Sequence, residues 1–258
     1  MYAIEIGRDG SRRAIQRAWV PEAPVALEFN GVAYAVMMAT PEDLEDFARG
    51  FAIAEGLAQD ARAVVETAVA EVEHGWIVRT TIAGLGEERL NERVRRRVAE
   101  SSCGLCGIEN LEALASPLPP VALHSRIDGT AIFRAIAAID AQQRLGSATG
   151  AAHAAALALP DGDSLLVRED VGRHNALDKL TGAALRQGQA LSPGFILSTA
   201  RCSYEIVEKA VRAGATTLVT ISLPTSLAVE RARAAGLSLW ALARDDSVLL
   251  VNDAAQGG

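Results

Sequence analysis

Between residues 164 and 251 the chain alternates short apolar runs with helix-patterned segments, and this alternation narrows the possible folds more than any other feature. Apolar runs at 164–167, 195–198, 217–222, 237–242 and 248–251 predict strands. The stretches 174–187, 203–213 and 225–235 carry helical spacing. Such alternation predicts an α/β sheet with helices packed on its faces. A further helix is expected near 128–144, ahead of Gly146 and Gly150. Half of the residues are hydrophobic and only 4% are aromatic, so the core is expected to be aliphatic. With 258 residues the chain can form one large domain or two modest ones.

The sharpest boundary is Ser116-Pro117-Leu118-Pro119-Pro120, because prolines so close together cannot continue a helix or a central strand. Residues 1–116 read as a smaller α+β domain and residues 121–258 as the α/β domain. In the first, Asn30-Gly31 lies between the apolar runs 25–29 and 32–38, a strong hairpin signal. Thr40 is expected to cap a helix that has Pro41 at its first position. Leu44, Phe47, Phe51 and Ala54 would share one face of that helix. Strands are expected near 62–70 and 76–82, then an arginine-rich helix over 87–100. Only the small, polar tail 252–258 reads as unstructured. There is no internal repeat and no low-complexity tract.

The formal net charge is −7, which argues against a general nucleic-acid binder. It leaves room for a local basic pocket that takes one phosphorylated ligand. The N-terminus lacks the basic start and apolar stretch of a signal peptide. No run reaches the roughly 18 apolar residues of a membrane span. Three cysteines, two of them in C-x-x-C, make no disulfide framework. The expectation is a cytoplasmic protein with reduced thiols and no membrane contact.

Two segments carry residues chosen for chemistry rather than packing. The first is Ser102-Cys103-Gly104-Leu105-Cys106-Gly107. Its glycines allow a tight turn, and a short helix over 108–114 would favour negative charge on a nearby sulfur. Arg93 and Arg95, Arg96 and Arg97 would add to that field if they fold back. Four uses compete for the pair: a zinc site completed by a distant histidine, a thioredoxin-like redox pair, two unremarkable thiols in a turn, and sulfur transfer through a cysteine persulfide. The last is the displacement at sulfur that also exchanges disulfides. Cys202 reads as the filler of a small buried site.

The second segment, 168–179, concentrates charged and polar residues after a strand. A helix starting near Arg173 or His174 would present free backbone N–H groups to a phosphate. The competing reading is a helix start with acidic capping and solvent-exposed pairs such as Asp178 and Lys179. Ser198-Thr199-Ala200-Arg201 and Ser222-Leu223-Pro224-Thr225-Ser226 follow two other strands, and ligands on α/β sheets collect at carboxyl ends of strands. Arg173, His174 and Arg201 would together make one anion-binding face, although each hydroxyl alone is equally at home as a helix cap. His153, in an alanine-rich stretch read as helical, fits either a packed core residue or a site residue.

These residues match a known pattern. The cysteine segment, Glu169-Asp170-Val171-Gly172-Arg173-His174-Asn175-Ala176-Leu177-Asp178-Lys179, Ser203-Tyr204-Glu205-Ile206-Val207-Glu208-Lys209 and Pro224-Thr225-Ser226-Leu227-Ala228-Val229-Glu230 together resemble the formate dehydrogenase accessory sulfurtransferases, the FdhD/NarQ family. The likeness spans about residues 20–250 in the family's order. It implies a sulfurtransferase that takes persulfide sulfur from a cysteine desulfurase. The sulfur passes to the Mo-bis(molybdopterin guanine dinucleotide) cofactor before insertion into formate dehydrogenase. Cys103 matches the persulfide cysteine, with Cys106 as its partner. The guanine-dinucleotide loop maps to Leu242, Ala243, Arg244, Asp245, Asp246 and Ser247, where family members often carry glycine and a second basic residue. Arg244 is therefore the one phosphate donor expected in that loop. The resemblance also implies a cytidine-deaminase-like three-layer fold for the larger domain, and a homodimer. It does not extend to zinc deamination, which needs H-x-E and P-C-x-x-C. Here Ala154 and Ala155 follow His153, and no metal is expected. A second reading is a non-catalytic molybdenum-cofactor-binding chaperone whose thiols only tune affinity.

Overall fold

A computed structural model describes residues 2–98, 116–121 and 126–256. Tyr2–Ile6 (β1) and Arg12–Gln16 (β2) form an antiparallel pair of their own, which the sequence reading did not anticipate. Ala23–Phe29 (β3), Val32–Ala39 (β4), Val64–Val72 (β5) and Gly75–Ile82 (β6) make a four-stranded sheet in the order β4-β3-β6-β5. Asn30 (φ 47°) and Gly31 (φ 81°) turn β3 into β4. Both sit in the left-handed region that a two-residue hairpin demands and that Asn-Gly tolerates. The Asn30 amide then donates to the carbonyls of Ile82 and Leu85 at 2.9 and 2.8 Å, tying the turn to the end of β6.

Leu44–Ala54 (α1) covers this sheet. Leu44, Phe47 and Phe51 are buried against Val25, Leu27, Phe29 and Val78, on the face that their spacing predicts. Phe29, Tyr34, Phe47 and Phe51 meet at centroid distances of 5.5–6.1 Å. Four of the eleven aromatics thus meet in this core, which is not purely aliphatic. Thr40 does not cap α1. The helix begins behind Asp43, at φ 53° and with no side-chain cap bond. Glu87–Val98 (α2) is the arginine-rich helix.

The second sheet follows Gly129–Gln142 (α3) and Arg144–Thr149 (α4). Its strands are His153–Ala158 (β7), Ser164–Asp170 (β8), Phe195–Ser198 (β9), Thr217–Thr220 (β10), Ser238–Ala241 (β11) and Leu249–Asn252 (β12), in the order β12-β11-β10-β9-β7-β8. Strands β9, β10 and β11 are parallel, whereas β7 runs antiparallel to both neighbours. Arg173–Arg186 (α5), Tyr204–Arg212 (α6) and Ser226–Ala235 (α7) pack on one face, burying Leu177, Ile206 and Ala228 against Leu157, Ile196 and Leu218. Helix α3 covers part of the other, with Ile132, Ile136 and Ile139 over Ala156, Leu197 and Val219. The unit is therefore a three-layer α/β arrangement.

Strand β7 corrects the helical reading of the alanine-rich stretch. Alanine has the strongest intrinsic helix propensity, but position decides here. Ala154 to Ala158 are buried on both faces of the sheet, and their small side chains let helices approach from each side. The tail also departs from expectation: Asn252 ends β12 and donates to the Leu237 carbonyl at 2.7 Å. Among the described residues, no helix is long and apolar enough to cross a membrane.

Helices α1 and α5 cross at two glycines. A Cβ on Gly50 would lie 1.8 Å from the Asp178 carbonyl oxygen, and one on Gly182 would lie 1.8 Å from that of Asp46. Backbone meets backbone there, and only glycine fits. Around this crossing the two sheets are locked by buried charge. Lys179 Nζ, fully buried, lies 2.6 Å from the equally buried Asp170 carboxylate and donates to the Thr40 carbonyl at 2.9 Å. The Thr40 N–H donates to Asp170 at 3.0 Å, and the Thr40 hydroxyl accepts from the Val171 N–H at 3.1 Å. Asn175 donates to the Met38 carbonyl and to Asp170 at 2.9 and 3.0 Å. Asp46, also buried, receives Arg168 and Arg186.

Candidate functional site

The polar segment 168–179 divides into two jobs. Arg168, Asp170, Asn175 and Lys179 belong to the lock just described. Asp178 is buried and takes Lys209 at 2.8 Å. Burial raises the Asp178 pKa above the usual carboxylate value, although Lys209 pulls the other way. Asp178 and Lys179 are therefore not the solvent-exposed pair that one sequence reading allowed. Their burial follows from the glycine crossing, which no local pattern reveals. Glu169 accepts from the N–H groups of Leu145 and Gly146, at the start of α4, at 2.8 and 2.7 Å. Arg173 and His174 take no part in that lock.

These two stand at the start of α5, where Gly172 is the N-cap and makes no side-chain cap bond. Helix N-termini of this kind favour anions. The position is the carboxyl end of β8. Arg201 follows the carboxyl end of β9. Because β7 is antiparallel, its first residue, His153, opens at the same edge, opposite Asp170 in register. Burial lowers the His153 pKa, and the charges of Arg173, Arg201 and His174 lower it further; a backbone hydrogen bond at Thr199 opposes them. His174 Nε2 lies 3.2 Å from Glu205, an ion pair when the ring is protonated, at an angle short of a good hydrogen bond. The Glu205 pKa is held low by its contact with His174, with burial opposing and Arg173 assisting. Arg173 Nε is buried without a hydrogen-bond partner among the described residues. Buried donors are rarely left so, and Arg49 Nε and Arg231 Nε share the condition elsewhere among the described residues.

Two strands further along the same edge lies the loop after β11. Leu242 takes φ 48° and Ala243 is buried, its N–H donating to the Thr220 carbonyl at 3.1 Å. The exposed Arg244 donates its guanidinium to the carbonyls of Ile221 and Ala243. Asp245, Asp246 and Ser247 are exposed, and the Ser247 hydroxyl donates to Asp246 at 3.0 Å. Ile136, Ile221, Ala243, Arg244, Asp245 and Asp246 line an open cleft of about 570 Å³.

The hydroxyls at the strand ends serve the backbone instead. Thr225 caps α7, accepting from the Ala228 N–H at 3.2 Å. Ser198 accepts from the Ala200 N–H, and Thr199 accepts from the Ala154 N–H at 2.8 Å. Cys202 is fully buried, as expected, and burial pushes its thiol pKa up to about 12. Cys103, Cys106 and the helix expected over 108–114 lie outside the described residues. Sequence reasoning left His153 undecided and missed Glu205 as a member of the cluster. The glycine at 150, which ends α4 at φ 68°, was the available signal that the histidine begins a new element.

The FdhD/NarQ family model matches residues 20–255. The chain belongs to this family. FdhD relatives align over nearly the whole chain. "Sulfur carrier protein FdhD" of Variovorax paradoxus is 43% identical over 243 residues, which is 92% of this chain and 87% of that protein. The protein of the same name from Xanthomonas euvesicatoria is 46% identical over 240 residues, 92% of this chain and 85% of the relative. A solved structure from Desulfotalea psychrophila, described as a formate dehydrogenase accessory protein, superposes with a TM-score of 0.76 at 24% identity. The match covers 98% of this chain and 96% of that one, so the two share a fold.

Proposed function

We propose that this chain is a cytoplasmic sulfur carrier. It takes persulfide sulfur from a cysteine desulfurase and passes it to Mo-bis(molybdopterin guanine dinucleotide), the cargo that is then inserted into formate dehydrogenase. The observation that carries the reading is the gathering of Arg173, His174, Arg201 and His153 at one sheet edge of an acidic chain, in a family whose curated relatives are named sulfur carriers. The buried, unpartnered Arg173 Nε supports a ligand that brings oxygen acceptors, as the cargo's phosphates do. Arg244 and the rest of 242–247 would hold a further part of the same cargo beside the cleft near α3. The three-layer unit is read as a cytidine-deaminase-like fold put to binding rather than deamination, and the working form as a homodimer.

Cys103 and Cys106 carry the covalent step in this reading. The Cys103 thiolate attacks the outer sulfur of the donor persulfide. A new sulfur–sulfur bond forms, the donor's own bond breaks, and the donor cysteine leaves as a thiolate. No oxidant is consumed, since one persulfide replaces another. Cys106 assists relay or release.

The test is intact mass after incubation with a cysteine desulfurase and cysteine, for wild type, Cys103→Ala and Cys106→Ala. The expected result is a reductant-labile gain of one sulfur atom that Cys103→Ala abolishes. No gain in any sample, with an active desulfurase confirmed, would refute the carrier and favour a cofactor-binding chaperone.

A further inference from the structure

The cationic cluster holds a histidine whose charged form is disfavoured by burial and by its basic neighbours. His153 opens β7 opposite Asp170 in register, two residues before the Ala155–Ser198 pair, so it shares the sheet edge with Arg173 and His174 at the start of α5 and with Arg201 in the loop after β9. Beyond His174 stands Glu205 of α6, paired to that ring. Asp170 of β8 is opposite His153 in register, but its carboxylate is taken by Lys179, Asn175 and the Thr40 N–H. Glu169 of β8 is spent on the N–H groups of α4. Arg17 lies against Gly150 in the turn that leads into β7, adding one more cation nearby. The carboxylates around His153 are thus committed elsewhere, while the arginines lean on it.

We infer that His153 completes an oxyanion site with Arg173, His174 and Arg201, and that a bound dianion draws a proton onto its ring. The inference rests on the reading of this edge as a phosphate-binding face and goes beyond it. An anion between the two arginines brings negative charge beside His153, where the nearby carboxylates of Glu205 and Asp170 are already paired with His174 and Lys179. Opposite charge within a few ångströms favours the charged form of a titrating group. Binding and protonation are then linked, each tightening the other. The ligand class is a tetrahedral dianion such as a phosphoryl or pyrophosphoryl group, and affinity rises as pH falls. A site made of arginines alone would show no such dependence, because arginine stays charged throughout. His153 therefore makes the face responsive to protons as well as to charge.

The measurement is an NMR titration of the histidine ring protons against pH, with and without sulfate. Sulfate serves as the probe because it remains a dianion across the range. The chain has four histidines, and the exposed His74 serves as the internal reference. The expected result is that sulfate displaces the His153 midpoint to higher pH and leaves His74 in place. Each unit of displacement corresponds to about a tenfold tightening of sulfate between the deprotonated and protonated ring. Arg173→Gln is expected to shrink the displacement. Sulfate binding seen in arginine Nε–H signals, with the His153 midpoint unmoved, overturns the inference alone. No sulfate-dependent change in any signal overturns both the inference and the phosphate-face reading. The sulfur-loading experiment on Cys103 is independent of either result.

Discussion

Gly182→Ala is the most direct test of how the two sheets are joined. In an ordinary helix interior this change stabilises by about 1 kcal/mol, because glycine is the poorer helix former. Here the added Cβ would lie 1.8 Å from the Asp46 carbonyl oxygen, where ordinary contact begins at 3.4 Å. Helices α1 and α5 must separate by roughly 1.5 Å, and overpacking of this kind costs about 3 kcal/mol or more. The separation would also stretch the Arg186–Asp46 contact of 2.7 Å, which spans the same crossing. The net expectation is a loss of about 2 kcal/mol, or roughly 4–8 °C in Tm for a chain of this size. Urea denaturation and thermal melting of wild type, Gly182→Ala and Gly86→Ala would measure it. Gly86 has open space around its Cβ position and serves as the control. A Gly182→Ala protein as stable as wild type, or more so, would refute the backbone-to-backbone crossing.

Lys179→Met should destabilise by about 3–5 kcal/mol in urea, since it strands Asp170 as a buried unpaired charge. Arg144→Ala, which breaks an exposed pair with Glu42, should change stability by less than about 1 kcal/mol, and equal losses from the two variants would sink the buried lock. Cys202 should resist alkylation at pH 8 in the native protein and react once the chain is unfolded in urea, because burial leaves it almost no thiolate; equal labelling rates in the two states would contradict this. The sign of its linkage follows from the fold holding its proton more tightly than the unfolded chain does. That share of stability is complete below the ordinary value of 9.0 and is lost as pH climbs towards about 12, whereas Cys202→Ala should show no such alkaline loss.

Local pattern revealed the elements whose causes are local. The Asn30-Gly31 turn, the apolar face of α1 and the strand–helix alternation after residue 164 all follow from neighbouring residues. The three arginine and histidine positions at the strand ends were legible for the same reason, since a strand, a glycine and a helix start suffice to place them. What escaped depends on partners far along the chain. Thr40 has the chemistry of a cap, yet all three of its polar groups face residues 170–179. The alanines of β7 prefer a helix in isolation, and only burial between two helical layers makes them a strand. Asp178 and Lys179 look like a solvated pair until Gly50 and Gly182 bring α1 onto their helix. His153 was ambiguous because its role depends on the direction of β7, and spacing carries no direction.

The lock around Thr40 bears on how such a chain can change over time. Its charges come from the second sheet, but the carbonyl and N–H that complete them come from the first. Cut between the two, each half keeps an apolar core, yet one is left with an ion pair missing its third member and the other with bare backbone groups. Neither half is a module that recombination could lend to another protein. The pair must be inherited, duplicated or lost together, and an insertion is tolerated only where the chain leaves the crossing behind.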